Sequence, residues 1–289
     1  MPLKDLLVCT DPSANGDGRL KLAFNLARAH QAHLTGAVVL PEPQTAAARA
    51  PGFGSPAGMA AYSTDGATPG GAVDEVLHEA DLADRIEQRF KEELRINGID
   101  GEWHLLTADD TDTLIELAKT ADLTILGQVS RENRPNGFRP QDVVTAIARP
   151  ILVVPYAGNF ETVGKHPLVA WDGTREAVRA VNDALPLLAG AEAVTVIFVG
   201  AQEASLERQR LSLDRVVRHL QLHGISATAE QTLQGGLAVS DVLLSRAMDL
   251  GADLIVAGAY HHSQLREALI GGVSRELLEH MTVPVLMSH

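Results

Sequence analysis

The sequence predicts an α/β fold made of two tandem domains, each a five-stranded parallel sheet with helices on both faces. Short apolar runs alternate with longer segments whose apolar residues recur every three or four positions, a pattern typical of parallel sheets covered by helices. The chain has 289 residues, about twice the ~150 residues of an ordinary domain. Similar stretches also occur in the same order in both halves, which indicates a tandem duplication.

Four stretches of the first half return in the second: 7–11 as 168–172, 97–99 as 223–225, 121–127 as 252–258, and 150–153 as 284–287. The repeat predicts two domains, residues 1–156 and 166–289, joined by a short linker. The first domain is longer because it contains an insertion near 41–71 that is rich in Ala, Gly and Pro. That composition predicts a long surface loop.

The strands of the second domain are predicted first, because their apolar runs are the clearest. They cover 167–171, 193–199, 225–232, 254–258 and 283–287, and helices cover 174–188, 206–222, 239–250 and 273–280. The first domain follows the same order, with strands near 5–9, 34–39, 102–107, 123–127 and 151–154. Since parallel sheets bind ligands at the carboxyl ends of their strands, the residues after each strand are the candidates for a site.

Composition and charge exclude several classes of protein. The formal net charge is −13 and neither half is basic, so no broad binding surface for nucleic acid is expected. Cys9 is the single cysteine and lies in an apolar run, which predicts a packed thiol, no disulfide and no cysteine-rich zinc site. No stretch approaches the ~20 apolar residues of a membrane span. We therefore expect a cytoplasmic protein.

Several residues that follow strands of the second domain point to a nucleotide or phosphate site. Asp172 follows the first strand, where it either accepts hydrogen bonds from a base or ribose or caps the next helix. Gly258 ends the fourth strand and lets the chain turn without a clash at Cβ. Gly271 and Gly272 open a helix, whose free N–H groups and dipole favour a phosphate. Ser274 adds a hydroxyl or caps that helix.

With these motifs the chain resembles a tandem universal stress protein of the UspA-like family. The resemblance implies two copies of the adenine-nucleotide alpha-hydrolase-like, Rossmann-like fold, and it covers nearly the whole chain outside 41–71. It rests on 169–177, 252–260, 271–278 and 283–286 and, in the first domain, on 149–156. Domains of that family pair through their fifth strands, so the resemblance implies pairing of the two domains within this chain.

The resemblance also implies which residues would hold a ligand. In nucleotide-binding members a G-x2-G-x9-G-S/T pattern surrounds the phosphates, and Gly258 and Gly271 match its first and third glycines. An Asp after the first strand and the backbone ending the second strand hold the base there, which implies Asp172 and Val199 here. In the first domain Pro140 takes the place of the third glycine, so its nucleotide motif is degenerate.

The second domain departs from the pattern at two positions. His261 replaces the middle glycine, where a Cβ crowds a phosphate or forbids a positive φ. Gly272 replaces the Ser or Thr, which removes a hydrogen bond worth about 1–3 kcal/mol to a charged group. The pocket is therefore expected to be partly degenerate. The implied cofactor-binding set is Asp172, Val199, Gly258, His261, Gly271, Gly272, Val273 and Ser274.

Two functions remain open from the sequence. One is a non-enzymatic stress-response or regulatory protein with the partly degenerate pocket. The alternative is an ATP-binding universal stress protein with slow hydrolysis or nucleotide-driven switching, whose ligand would be ATP or AMP with Mg²⁺ in the second domain. No catalytic residues are predicted, because neither a GxSxG elbow nor a GxxxxGK[ST] loop occurs.

The histidines predict no metal site. The adjacent pair 261–262 diverges on most backbones, and His219 and His223 lack an obvious third ligand and suit a helix C-terminus. The expected partners are an adenine nucleotide, the second domain of the same chain, a second copy of the chain in a homodimer, and an unidentified protein.

Overall fold

The computed structural model describes residues 2–11, 14–40, 70–107, 110–129, 139–259 and 272–289. Strands of the first half are β1 (Asp5–Thr10), β2 (His33–Leu40), β3 (Gly101–Thr107), β4 (Leu123–Gly127) and β5 (Ile151–Val154). Strands of the second half are β6 (Pro167–Ala170), β7 (Val194–Gly200), β8 (Ala227–Leu233), β9 (Leu254–Gly258) and β10 (Val285–Ser288). The helices are α1 (Ala14–His30), α2 (Gly70–Asn97), α3 (Thr111–Thr120), α4 (Pro140–Ile147), α5 (Arg175–Leu188), α6 (Glu203–Leu222), α7 (Val239–Asp249) and α8 (Gly272–His280).

The strands form one sheet in the order β3-β2-β1-β4-β5-β10-β9-β6-β7-β8. Pairing is parallel within each half, and β5 and β10 pair antiparallel, with Ile151 opposite Met287. The predicted α/β fold with a mostly parallel sheet is confirmed. The two five-stranded sets are continuous rather than separate, because β5 and β10 satisfy each other's backbone groups where two apolar edges would otherwise lie open.

Helices cover both faces of the sheet and form two apolar layers. One layer is built on α1, α2, α5 and α6, and the other on α3, α4, α7 and α8. Alternate residues of a strand enter opposite layers: on β1, Leu6 and Val8 face the first layer and Leu7 and Cys9 face the second. Burial on both faces is why the strands read as continuous apolar runs.

Element boundaries differ from the predicted ones by a few residues. Helix α6 begins three residues earlier than expected, because Gln202 and Ser205 form a capping box at its start. Of the predicted insertion, residues 41–69 lie outside the described residues, whereas 70–71 already belong to α2 and are not loop. Among the described residues, every helix is too short or too polar to serve as a membrane span.

Cys9 is expected to resist alkylation in the folded protein. Its side chain is buried on β1, and loss of hydration raises the pKa of the thiol to about 12, although the Arg19 guanidinium opposes the shift. At pH 8 roughly one molecule in ten thousand would then carry the reactive thiolate. Iodoacetamide should modify Cys9 slowly in buffer and rapidly in guanidinium chloride, as mass spectrometry would report. Equal rates in the two solvents would contradict a buried, protonated thiol.

Candidate functional site

A cavity of about 280 Å³ opens at the carboxyl edge of the second half of the sheet. Its walls come from the ends of β6, β7 and β9 and from α5, α7 and α8. Six of the eight residues predicted to bind a cofactor line it: Asp172, Val199, Gly258, Gly272, Val273 and Ser274. The other two, His261 and Gly271, lie outside the described residues.

The turn after β6 holds Asp172 at the cavity. Its Oδ1 accepts hydrogen bonds from the Thr174 backbone N (2.9 Å) and from Thr174 Oγ1 (2.6 Å). Gly173 between them has φ +78°, a backbone conformation that favours glycine. The helix cap is Thr174, whose Oγ1 accepts from the Ala177 N–H at 3.2 Å. Asp172 therefore organises the turn rather than capping α5, and its side chain is exposed at the cavity wall.

Gly258 lies where the end of β9 approaches the first turn of α5. A Cβ at this position would lie 2.6 Å from the backbone N of Ala177 and 2.7 Å from the carbonyl carbon of Glu176. Both are main-chain atoms of a helix, so they do not move aside without moving the helix. Glycine is required here by close approach, and this contact positions the start of α5 beside the cavity.

Helix α8 brings its N-terminus to the opposite wall. Gly272 and Val273 line the cavity and are exposed, and a Cβ on Gly272 would meet no atom of the described residues within 4 Å. Ser274 is buried, and its Oγ makes a long 3.5 Å contact with the carbonyl oxygen of Gly258. The positive end of the helix dipole therefore lies at the cavity wall.

Sequence reasoning missed Glu176, which is 2% exposed and lines the cavity. Its Oε1 accepts a 2.6 Å hydrogen bond from Nε of Arg175. A carboxylate so deeply buried is unusual unless it is paired. The sequence held one sign of this burial: Glu176 lies next to Ala177, on the side of α5 that carries its apolar residues. Trp171 forms a further wall, with its Nε1 donating to Ser212 Oγ at 3.0 Å.

In the first half, a buried arginine lies at the corresponding edge of the sheet. Nη1 of Arg19 donates to the carbonyl oxygen of Cys9 (2.7 Å), and Nη2 donates to Oδ2 of Asp11 (2.9 Å). A Cβ on Gly127 would lie 2.5 Å from Nη2 of Arg19, so the guanidinium packs directly against the end of β4. The side chain of Arg19 is only 8% exposed.

The two halves differ here by one side chain. Arg19 follows Asp11 by eight positions, and Ala180 follows Asp172 by the same interval, with each helix beginning three positions after the aspartate. In the first half the guanidinium fills the space beside the aspartate. In the second half the corresponding residue is Ala180, which is buried and is not among the residues that line the cavity.

His219 lies in the last turn of α6, and His223 caps the end of that helix. The rings of His219 and His223 are 4.7 Å apart between centroids and meet edge to face. Nε2 of His219 is buried and makes no hydrogen bond to any described residue. Within the described ranges, no three or more His, Cys, Asp and Glu side chains are grouped to hold a metal ion. The pair 261–262 lies outside those ranges.

Comparison with known protein families gives a match to the half of the chain that contains this cavity. The profile of the Universal stress protein family matches residues 165–289, the half that contains the cavity. No curated protein matches the chain in sequence.

Solved structures resemble the whole chain. A universal stress protein from Archaeoglobus fulgidus DSM 4304 is 14% identical, with 98% of this chain and 96% of that chain covered at a TM-score of 0.70. A putative universal stress protein from Pseudomonas aeruginosa UCBPP-PA14 is 18% identical, with 99% and 93% covered at a TM-score of 0.59. A functionally unknown protein from Pseudomonas aeruginosa PAO1 is 20% identical, with 99% and 92% covered at a TM-score of 0.59.

At these identities the structural likeness bears on the fold alone. The family match bears on the second half, and the fold match extends over nearly the whole chain. Residues 165–289 therefore form a Usp domain, within a chain that has the fold of universal stress proteins.

Proposed function

We propose that the protein is a non-enzymatic stress-response regulator that binds one adenine nucleotide in the cavity of its second half. One observation carries this proposal. Six of the residues predicted to bind a cofactor, which lie between positions 172 and 274 of the sequence, line a single cavity at the carboxyl edge of a parallel sheet. The turn at Asp172 offers polar groups for the base or ribose. The N-terminus of α8 offers backbone N–H groups and a positive dipole end for phosphate.

The division into two Usp-like units, 1–156 and 166–289, is part of the same proposal. The strand order is the same in both halves, which supports a duplicated unit. Arg19 fills the corresponding space in the first unit. At the start of α4, Pro140 lacks a backbone donor and Asp142 in the first turn would repel a phosphate. The first unit is therefore proposed to bind no nucleotide.

Mg²⁺, where present, would enter with the phosphates of ATP. Magnesium sites commonly use phosphate oxygens and waters together with one or two carboxylates. Asp172 is assigned here to the base or ribose, so the phosphate oxygens and waters would supply most of the ligands. The homodimer, the protein partner and the cytoplasmic location remain predictions.

Gly272→Asp is expected to abolish ATP binding without destabilising the fold. Among the described residues nothing lies within 4 Å of a Cβ at this position, and a carboxylate in the first turn of a helix interacts favourably with the dipole. The same carboxylate would repel a phosphate bound there. Gly272→Asn is the matched neutral variant and should bind ATP within a few-fold of wild type. Calorimetric titration of nucleotide-stripped protein, with and without Mg²⁺, measures the affinity and the number of sites.

The expected wild-type result is one site per chain, together with a change in Trp171 fluorescence that is absent in Trp171→Phe and retained in Trp103→Phe. Trp171 lines the cavity, whereas Trp103 packs on Phe90 in the first half. No heat from wild type, and no nucleotide released when freshly purified protein is denatured, would reject nucleotide binding.

Slow ATP hydrolysis is the second candidate, and the buried Glu176 carboxylate in the cavity wall favours it. A carboxylate at a ligand site is a candidate general base for an attacking water. Hydrolysis predicts phosphate release that is lost in Glu176→Gln while ATP still binds. Binding without phosphate release above background would support the non-enzymatic regulator.

A further inference from the structure

Gln128 belongs to the first half of the chain, yet its side chain contacts the C-terminus of α8 in the second half. Nε2 donates to the carbonyl oxygens of Leu278 (2.9 Å) and Glu279 (3.1 Å). Oε1 accepts from the backbone N–H of Tyr156 at 3.1 Å. The backbone N–H of Gln128 donates to the Val154 carbonyl oxygen at 2.8 Å. The amide nitrogen faces carbonyl acceptors and the amide oxygen faces an N–H donor, so these partners fix the orientation of the amide.

These contacts matter because α8 is short. It has nine residues, and helices of this length are marginal in water without tertiary support. The last four carbonyls of a helix have no partner inside it, and the Gln128 amide satisfies two of those in α8. A second polar tie joins α8 to α7, where Ser240 Oγ lies 2.6 Å from Glu276 Oε2. Helix α8 is thus held from both halves of the chain.

We propose that Gln128 is a positioning residue through which the first half sets the geometry of the cavity in the second. A helix of nine residues is a nearly rigid rod about 13 Å long, so a shift at its C-terminus moves its N-terminus. That N-terminus carries Gly272 and Val273, which line the cavity. The effect on nucleotide affinity rests on the proposed function, whereas the effect on the position of α8 does not.

The two halves support each other's helices through different side chains. The repeat aligns Gly127 with Gly258, and therefore Gln128 with Ala259, whose methyl group has no donor to offer a helix. From the second half, Nη2 of Arg179 donates instead to the carbonyl oxygen of Ala148, at the C-terminal end of α4 (2.9 Å). A first half without a nucleotide site thereby retains a role, which is to support the helix at the site of the other half.

Gln128→Ala tests the proposal in the full-length chain, with Gln231→Ala as the matched control. Gln231 also donates its amide to a helix carbonyl, that of Leu206 at 2.8 Å, but it does not line the cavity. Two measurements need no nucleotide: hydrogen exchange over 272–280, and the methyl NMR signals of Val273. ATP titration of the same variants gives the third.

Gln128→Ala is expected to speed exchange in the last turn of α8 by about threefold to tenfold, the range that corresponds to one net hydrogen bond. It should also shift the Val273 methyl signals and weaken ATP binding by a similar factor. Gln128→Glu, which keeps the size but replaces the donor by an acceptor, should act in the same direction. Gln231→Ala should leave all three readouts unchanged.

The outcomes separate this proposal from the proposed function. Unchanged Val273 signals in Gln128→Ala would overturn the positioning role, whether or not exchange changes. Shifted Val273 signals with unchanged ATP affinity would also overturn it, because the cavity would then not depend on the position of α8. Shifted signals in a protein whose wild type binds no ATP would support the positioning role and reject the nucleotide function.

Discussion

Gly258→Ala is expected to lower the free energy of unfolding by about 3 kcal/mol, the upper range for forcing a methyl group into a packed core. The new Cβ would lie 2.6 Å from the backbone N of Ala177, so the first turn of α5 must move. Because that turn also forms a cavity wall, ATP binding should weaken together with stability. Urea denaturation and ATP titration of the same preparations measure the two effects.

Two other glycines provide graded controls for this substitution. In the part of the chain that the structure describes, a Cβ on Gly190 would meet no atom within 4 Å, so Gly190→Ala should be close to neutral. A Cβ on Gly127 would meet the far end of the Arg19 side chain, which moves aside more easily than a helix backbone, so Gly127→Ala should have an intermediate effect. Equal destabilisation by Gly258→Ala and Gly190→Ala would show that close approach does not explain the glycine at 258.

Ala180→Arg is expected to weaken ATP binding at least a hundredfold by transferring the Arg19 arrangement to the second half. The new guanidinium would find the partners that Arg19 has: Asp172 in place of Asp11, and the carbonyl oxygen of Ala170 in place of that of Cys9. Asp172 and Ala170 both line the cavity, so a guanidinium bound to them would enter the ligand space. A charge buried with its partners is tolerated far better than one without them.

The matched control is Ala180→Met, which has an unbranched side chain of similar length but no guanidinium to pair with Asp172. It should impair ATP binding less than Ala180→Arg. Far-UV circular dichroism and a cooperative thermal transition would establish that both variants fold. Folded Ala180→Arg that binds ATP with wild-type affinity would show that position 180 does not correspond to Arg19 in space.

The sequence by itself determined the class of fold, the succession of strands and helices along the chain, and six of the residues that line one cavity. Apolar runs at 123–127 and 254–258 match β4 and β9 residue for residue, because burial on both faces of a sheet imprints a local, continuous pattern. The residues that line the cavity could be predicted from the sequence for a related reason. Asp172, Gly258 and Gly272 each stand at the end of a strand or the start of a helix, and the parallel topology alone brings such ends to one edge.

Only the tertiary structure decided which side chains meet at the cavity of the second half and what supports that cavity. Arg19 reads in the sequence as an ordinary basic residue of a helix, and its burial depends on the contact between α1 and the end of β4. Glu176 and Gln128 are similar cases: one enters a cavity formed by distant strands, and the other caps a helix 150 residues further along the chain. Periodicity and motif spacing indicate which face of a segment is buried. The contacts of Arg19, Glu176 and Gln128 depend instead on which segments pack against each other, and that is decided only in the folded chain.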